Sequence, residues 1–223
     1  MLNMNYKRIT LLCGHYGSGK TNVALNLAFD LKKQYEKVAI ADLDIVNPYF
    51  RTKDSETLLE RAGIRLICSE YAGGNLDIPA LPQQMYSVTD DRSQKVILDI
   101  GGDDRGALAL GRLAPGILGE NDYEMLMVIN CYRPLTRDAK STVEVMREIE
   151  YAGGISFTGL INNSNLGEET VPETVLASCG YADEVSRLSG LPLLFTSAEQ
   201  SIYEQLKGRL EGLFPLKLQP KIS

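Results

Sequence analysis

The sequence contains no apolar run approaching the ~18 residues that a membrane-spanning helix requires. Its opening residues, Met1 to Arg8, lack the apolar core of a signal peptide, so a cytoplasmic protein with no membrane role is expected. Paired cysteines are missing as well. Cys13, Cys68, Cys131 and Cys179 are scattered, with no C-x-x-C or C-x-C, which points away from a zinc site or a disulfide framework. They read as small buried apolar side chains in a reducing compartment. Positive charge is not in excess. Lys plus Arg number 23 against 29 Asp plus Glu, a net charge of -6, so the chain offers no general field for polyanions and nucleic acid is not an expected partner. Internal repeats, low-complexity tracts and linkers are absent.

What is present is a globular composition, with 44% hydrophobic and 23% charged residues, in a chain of 223 residues read as a single domain over 1–223. Short continuous apolar runs recur at Ile9–Cys13, Val38–Ala41, Ile64–Cys68, Val96–Ile100, Met125–Ile129, Phe157–Ile161 and Leu191–Phe195. Runs of this kind suit parallel strands buried on both faces. Between them, Val23, Leu27 and Leu31, then Ala139, Val143, Met146 and Ile149, then Ile202, Leu206, Leu210 and Leu213 recur at spacings of three and four, which predict helices with one buried stripe. The alternation predicts a doubly wound α/β fold whose mainly parallel sheet has about seven strands. Leu43–Ser55 and Ser69–Gln84 are irregular, and long loops in compact domains tend to be functional.

Directly after the first run comes Gly14-His15-Tyr16-Gly17-Ser18-Gly19-Lys20-Thr21, which meets the pattern G-x-x-x-x-G-K-[ST] at every fixed position. Gly14, Gly17 and Gly19 let backbone N–H groups, those of His15 and Ser18 among them, converge on phosphate oxygens. Lys20 reaches the terminal phosphates, and the Thr21 hydroxyl can ligate Mg2+. Such a loop needs an acidic partner at a neighbouring strand end. Asp99 in Lys95-Val96-Ile97-Leu98-Asp99-Ile100-Gly101-Gly102 fits, holding magnesium through a water, and Gly102 can offer its N–H to the γ-phosphate. The second strand ends Ala41-Asp42-Leu43-Asp44, two carboxylates placed either to orient a water and join the metal shell or to cap the strand.

Together these segments resemble the MinD/ParA and nitrogenase-iron-protein group of P-loop ATPases, from Ile9 to about Ser201. Gly159-Leu160-Ile161-Asn162-Asn163-Ser164 is similar to the iron-protein segment whose asparagine recognises adenine, matching Asn163, and Thr196-Ser197-Ala198 sits where this group closes over the base. The resemblance implies an ATP-dependent homodimer that hydrolyses ATP slowly with Mg2+. In it Asp44 positions the attacking water, Lys20 and Asp99 complete the catalytic set, and Asp42 joins Thr21 and Asp99 at the metal. Its switch loops would couple the γ-phosphate to an unidentified protein partner. Phe50, Arg51, Arg105 and Tyr132-Arg133-Pro134-Leu135-Thr136-Arg137 belong either to that partner or dimer surface or to solvated structure.

One departure stands out. The group's signature lysine, in K-G-G-x-G-K-T, is replaced by His15 and Tyr16. His15 either substitutes as a cross-subunit phosphate donor or is a loop residue without catalytic contact. The guanine signature N-K-x-D is also missing, since Asn162-Asn163-Ser164-Asn165 has neither Lys nor Asp, which favours adenine. No cysteine lies between Gly101 and Leu113, so an iron–sulfur cluster is not expected. The rival reading is an ATP-dependent small-molecule enzyme like dethiobiotin synthetase or the cobyrinate synthetases, with Tyr71, Asn75, Asp77 and Pro79 in a substrate lid. A third is a module that binds nucleotide without turning it over.

Overall fold

The structure is a computed structural model that describes residues 6–43, 55–68, 83–102 and 104–219. Its elements follow in the order β1 (Ile9–Cys13), α1 (Lys20–Lys32), β2 (Val38–Leu43), α2 (Glu56–Arg61), β3 (Arg65–Cys68), α3 (Gln83–Asp90), β4 (Lys95–Ile100), α4 (Asp104–Glu120) and β5 (Tyr123–Ile129). Then come α5 (Ala139–Gly153), β6 (Gly159–Asn162), α6 (Pro172–Ala177), α7 (Cys179–Ser189), β7 (Leu193–Glu199), α8 (Gln200–Leu206) and β8 (Leu213–Leu216). The strands form one sheet of eight in the order β3-β2-β4-β1-β5-β6-β7-β8. Every pairing is parallel.

Alternation along each strand divides the core between two faces. Ile9, Leu11 and Cys13 of β1 and Val96, Leu98 and Ile100 of β4 pack with Val88, Leu110, Met146 and Val185 from α3, α4, α5 and α7. Leu12, Ile97 and Val128 point the other way, onto Val23, Leu27 and Leu31 of α1. Burying each of those three helix residues contributes about 1.5–3 kcal/mol, which is why the spacing of three and four dictates the helix face. Asp42 and Asp99 share the parity of Ile40 and Ile97, so both fall on the α1 face at the carboxyl edge.

The seven expected strands are present and an eighth is added. The stripe from Ile202 to Leu213, expected as one helix, stops at Leu206. Gly208 (φ +85°) and Gly212 (φ +64°) adopt the left-handed region, so Leu213 opens β8 instead of closing a helical turn. Pro215 sits within β8 and is tolerated because β8 is an edge strand. Beyond it the chain turns onto α1, where Asn26 exchanges two hydrogen bonds with the backbone of Lys217 and Asn22 accepts one from the Gln219 N–H.

Candidate active site

The phosphate-loop sequence bridges β1 and α1, the strand-to-helix setting the motif requires. Gly19, at φ +83°, makes the turn into the helix, and a Cβ there would lie 2.4 Å from the side-chain nitrogen of Asn163. Ser18, Lys20 and Thr21 are buried at 2%, 4% and 6% exposure. The Ser18 Oγ is buried with no hydrogen-bond partner among the described residues, while the Ser18 N–H donates to the His15 carbonyl at 3.1 Å. His15 is half-buried and its Nδ1 lies 3.1 Å from the Tyr16 carbonyl, while Tyr16 itself is 56% exposed.

Asp42 and Asp99 are register partners on β2 and β4, and Asp99 also pairs with Leu12 of β1. Both carboxylates are buried and Asp99 is fully so. Burial pushes the Cys13 thiol up; the Lys20 charge acts against this rise and the Asp99 charge adds to it, as fits a cysteine serving as core. Gly102 is seated directly against the loop. A Cβ on it would meet the Gly14 carbonyl oxygen at 2.7 Å and the Tyr16 nitrogen at 2.8 Å. Among the described residues no three His, Cys, Asp or Glu side chains cluster as a metal cage. The three side chains expected from sequence at the metal, Thr21, Asp42 and Asp99, are all hard oxygen donors, the chemistry magnesium takes, with Asp42 and Asp99 adjacent in register and Thr21 lining the cavity. Asp44 lies outside the described residues, as do Phe50, Arg51, Tyr71, Asn75, Asp77, Pro79 and the side chain of Arg105.

Asn163 leaves β6 and is buried behind the loop. Its Nδ2 donates to the Ser18 carbonyl at 2.7 Å and its Oδ1 accepts from the Ser197 hydroxyl at 2.7 Å. Two further asparagines, not singled out from sequence, hold the neighbouring loops. Asn162 donates to Ser178 and Thr196. Asn130, fully buried after β5, accepts from the N–H groups of Tyr132 and Asn165 and donates to the Asn165 carbonyl. The signal was available: each stands at the carboxyl end of an apolar run, where a buried amide needs partners. These loops enclose a cavity of about 1160 Å³ running from Lys20 and Thr21 past Asn165 and Ser197 to the segment after β8, ample for a nucleotide.

No protein-family model matches the chain. A curated relative, the signal recognition particle protein of Mycobacterium leprae, is 25% identical over 203 residues, 87% of this chain and 35% of its own length. The chain thus spans about a third of that relative. Among solved structures, the cell division protein FtsY from Thermotoga maritima superposes with a TM-score of 0.58 at 16% identity, covering 88% of this chain and 66% of that one. Chloroplast FtsY from Physcomitrella patens gives 0.57 at 16%, covering 88% and 60%. The signal recognition particle 54 kDa protein from Aeropyrum pernix, solved in complex with GDP, gives 0.55 at 20%, covering 87% and 42%. The fold is that of a P-loop NTPase. These relatives are signal recognition particle and FtsY proteins rather than members of the MinD/ParA group, and at such identities the structural likeness is one of fold.

Proposed function

We propose that this chain is a P-loop nucleoside triphosphatase working as a nucleotide-dependent switch on a protein partner. The observation that carries the reading is the seat of Gly102, whose backbone touches the phosphate loop at Gly14 and Tyr16. A segment pressed there responds to whether a terminal phosphate is present, and α4, which begins at Asp104, transmits its position.

In this reading amides of the phosphate loop other than that of Ser18, which is bonded to the His15 carbonyl, hold the phosphates together with the Lys20 ammonium, and the Ser18 hydroxyl finds a partner among them. Thr21, Asp42 and Asp99 hold Mg2+, which when bound neutralises charge on the phosphates. Asp44 orients the attacking water, and the Gly102 N–H faces the γ-phosphate. Asn163 braces the loop from behind and carries the wall against which the base rests.

The first reading of the base is adenine, supported by the absence of Lys and Asp from Asn162 to Asn165. The second is guanine, supported by the GDP found in the Aeropyrum pernix relative. Light scattering with magnesium and a non-hydrolysable ATP analogue, against magnesium and ADP, tests the switch; the guanine pair repeats it. A mass that doubles with one triphosphate analogue, and not in Lys20→Ala, is expected. Mass unchanged with either, together with phosphate release that depends on an added metabolite, would replace the switch by a small-molecule enzyme.

A further inference from the structure

We infer that Arg133 is a phosphate-contacting arginine supplied from within the same chain, a proposal that rests on the nucleoside triphosphatase reading above. Arg133 opens the turn after β5. Its backbone is fixed in an extended conformation, and its N–H donates to the Asn130 carbonyl, so the buried asparagine that ties the β5 and β6 loops together also sets where this arginine starts. The side chain then reaches the phosphate loop, where Nε–H donates to the Gly17 carbonyl at 2.8 Å. Gly17, at φ +77°, makes the turn there, and the Arg133 side chain lies alongside it, 3.4 Å from Nε and 3.5 Å from Cδ to where a Cβ would stand, an ordinary packing distance.

A guanidinium carries five N–H donors. One is spent on the loop, and among the described residues the Nη groups meet no carboxylate and no carbonyl. Arg133 lines the same cavity as Lys20 and Thr21. Arginines kept for surface ion pairs face a carboxylate, as Arg147 faces Glu150 here. A cation whose own loop contact is already made, with a fork of donors beside a triphosphate-binding loop, matches the planar geometry by which arginine recognises phosphate.

The need for such a charge follows from the loop. Its first variable positions are His15 and Tyr16, leaving Lys20 as its one permanent cation. During hydrolysis the water oxygen forms a bond to the γ-phosphorus, and the bond to the β–γ bridging oxygen breaks with its electron pair going to the diphosphate. The proton of the water passes to solvent. Charge accumulates on the bridging and terminal oxygens, where a second cation lowers the barrier.

The test compares wild type, Arg133→Ala, Arg133→Lys and the distant control Arg147→Ala for binding of fluorescent nucleoside di- and triphosphates and for phosphate release. Arg133→Ala is expected to lose roughly 1000-fold in kcat and to weaken triphosphate binding more than diphosphate binding, with added guanidinium ion restoring part of the rate. Arg133→Lys recovers little, because the compact ammonium lacks the planar fork that lets one nitrogen hold the Gly17 carbonyl while others reach a phosphate. Arg133→Ala turnover equal to wild type overturns the inference, as does equal loss of di- and triphosphate affinity without guanidinium rescue, which would make the residue a brace for the loop. Wild type that binds no nucleoside triphosphate overturns the function itself, a separate outcome.

Discussion

Asn163 and Ser18 lie 145 residues apart in sequence and 2.7 Å apart in space, joined through the asparagine amide and the serine carbonyl. The other end of the same amide takes the Ser197 hydroxyl, so one buried side chain ties the phosphate loop to β7. Asn163→Ala strips the Ser18 carbonyl of its side-chain donor and leaves the Ser197 hydroxyl only its longer bond to the Asn162 carbonyl at 3.3 Å, at a cost of about 2 kcal/mol. For a chain of this size that lowers the melting temperature by about 4–8 °C, read by circular dichroism. A melting temperature within a degree of wild type would show that water replaces the amide.

Gly102→Ala tests the contact between switch segment and loop. The added methyl would stand 2.7 Å from the Gly14 oxygen and 2.8 Å from the Tyr16 nitrogen, both backbone atoms that cannot swing aside as a flexible side chain can. The loop or the Gly102 segment has to move. Calorimetric titration is expected to show triphosphate binding weakened at least about tenfold, near 1.4 kcal/mol, with diphosphate binding less affected. Equal weakening of both would place the damage in the loop alone.

At the opposite end of the sheet, Arg8 and Glu120 form an ion pair with side-chain exposures of only 7% and 9%. Both Glu120 oxygens accept from the guanidinium, which also donates to the carbonyls of Val88 at 3.0 Å and Asp91 at 3.3 Å, joining the ends of α3 and α4. Glu120→Gln strands a buried cation and is expected to cost about 3 kcal/mol. Chemical denaturation checks this, and replacing both partners by apolar residues is expected to recover most of the loss.

Glu124 makes one part of the stability depend on pH. Burial raises its carboxyl above the ordinary range, opposed by the Thr10 hydroxyl that donates to it at 2.7 Å and by the Lys7 N–H. The folded chain therefore holds this proton more tightly than the unfolded chain. The contribution of the neutral form is complete below the unfolded value near 4.3 and is lost as pH rises through the raised folded value. Glu124→Gln, which keeps an acceptor without the charge, is expected to gain melting temperature relative to wild type between pH 4 and pH 7. A difference that stays flat across that range would remove Glu124 as the cause.

Seven strands were legible because parallel strands buried on both faces must be continuously apolar, as Val96 to Leu98 are. β8 was not, because Leu210 and Leu213 continue the spacing of Ile202 and Leu206, and only the left-handed Gly208 and Gly212 break it. The phosphate loop could be read since its chemistry is local: eight consecutive residues specify it. Asp42 and Asp99 could be read from their places at strand ends, though their register partnership needed the sheet order. Asn163 could be singled out from its segment, but its bond to the Ser18 carbonyl, and those of Asn130 to Asn165 and of Asn162 to Thr196, join residues 34 to 145 positions apart, and no short window of sequence contains both halves of such a pair.

Pro215 has a further effect at the margin of the sheet. A parallel sheet of eight strands ends at β8 with an unprotected row of backbone groups, the feature by which one molecule recruits a strand from another. The proline deletes a donor from that row, and the chain then leaves the sheet to run along Asn26 and Asn22 of α1. Growth of the sheet from one molecule into the next is thereby discouraged at the β8 edge, the margin that lies beside α1.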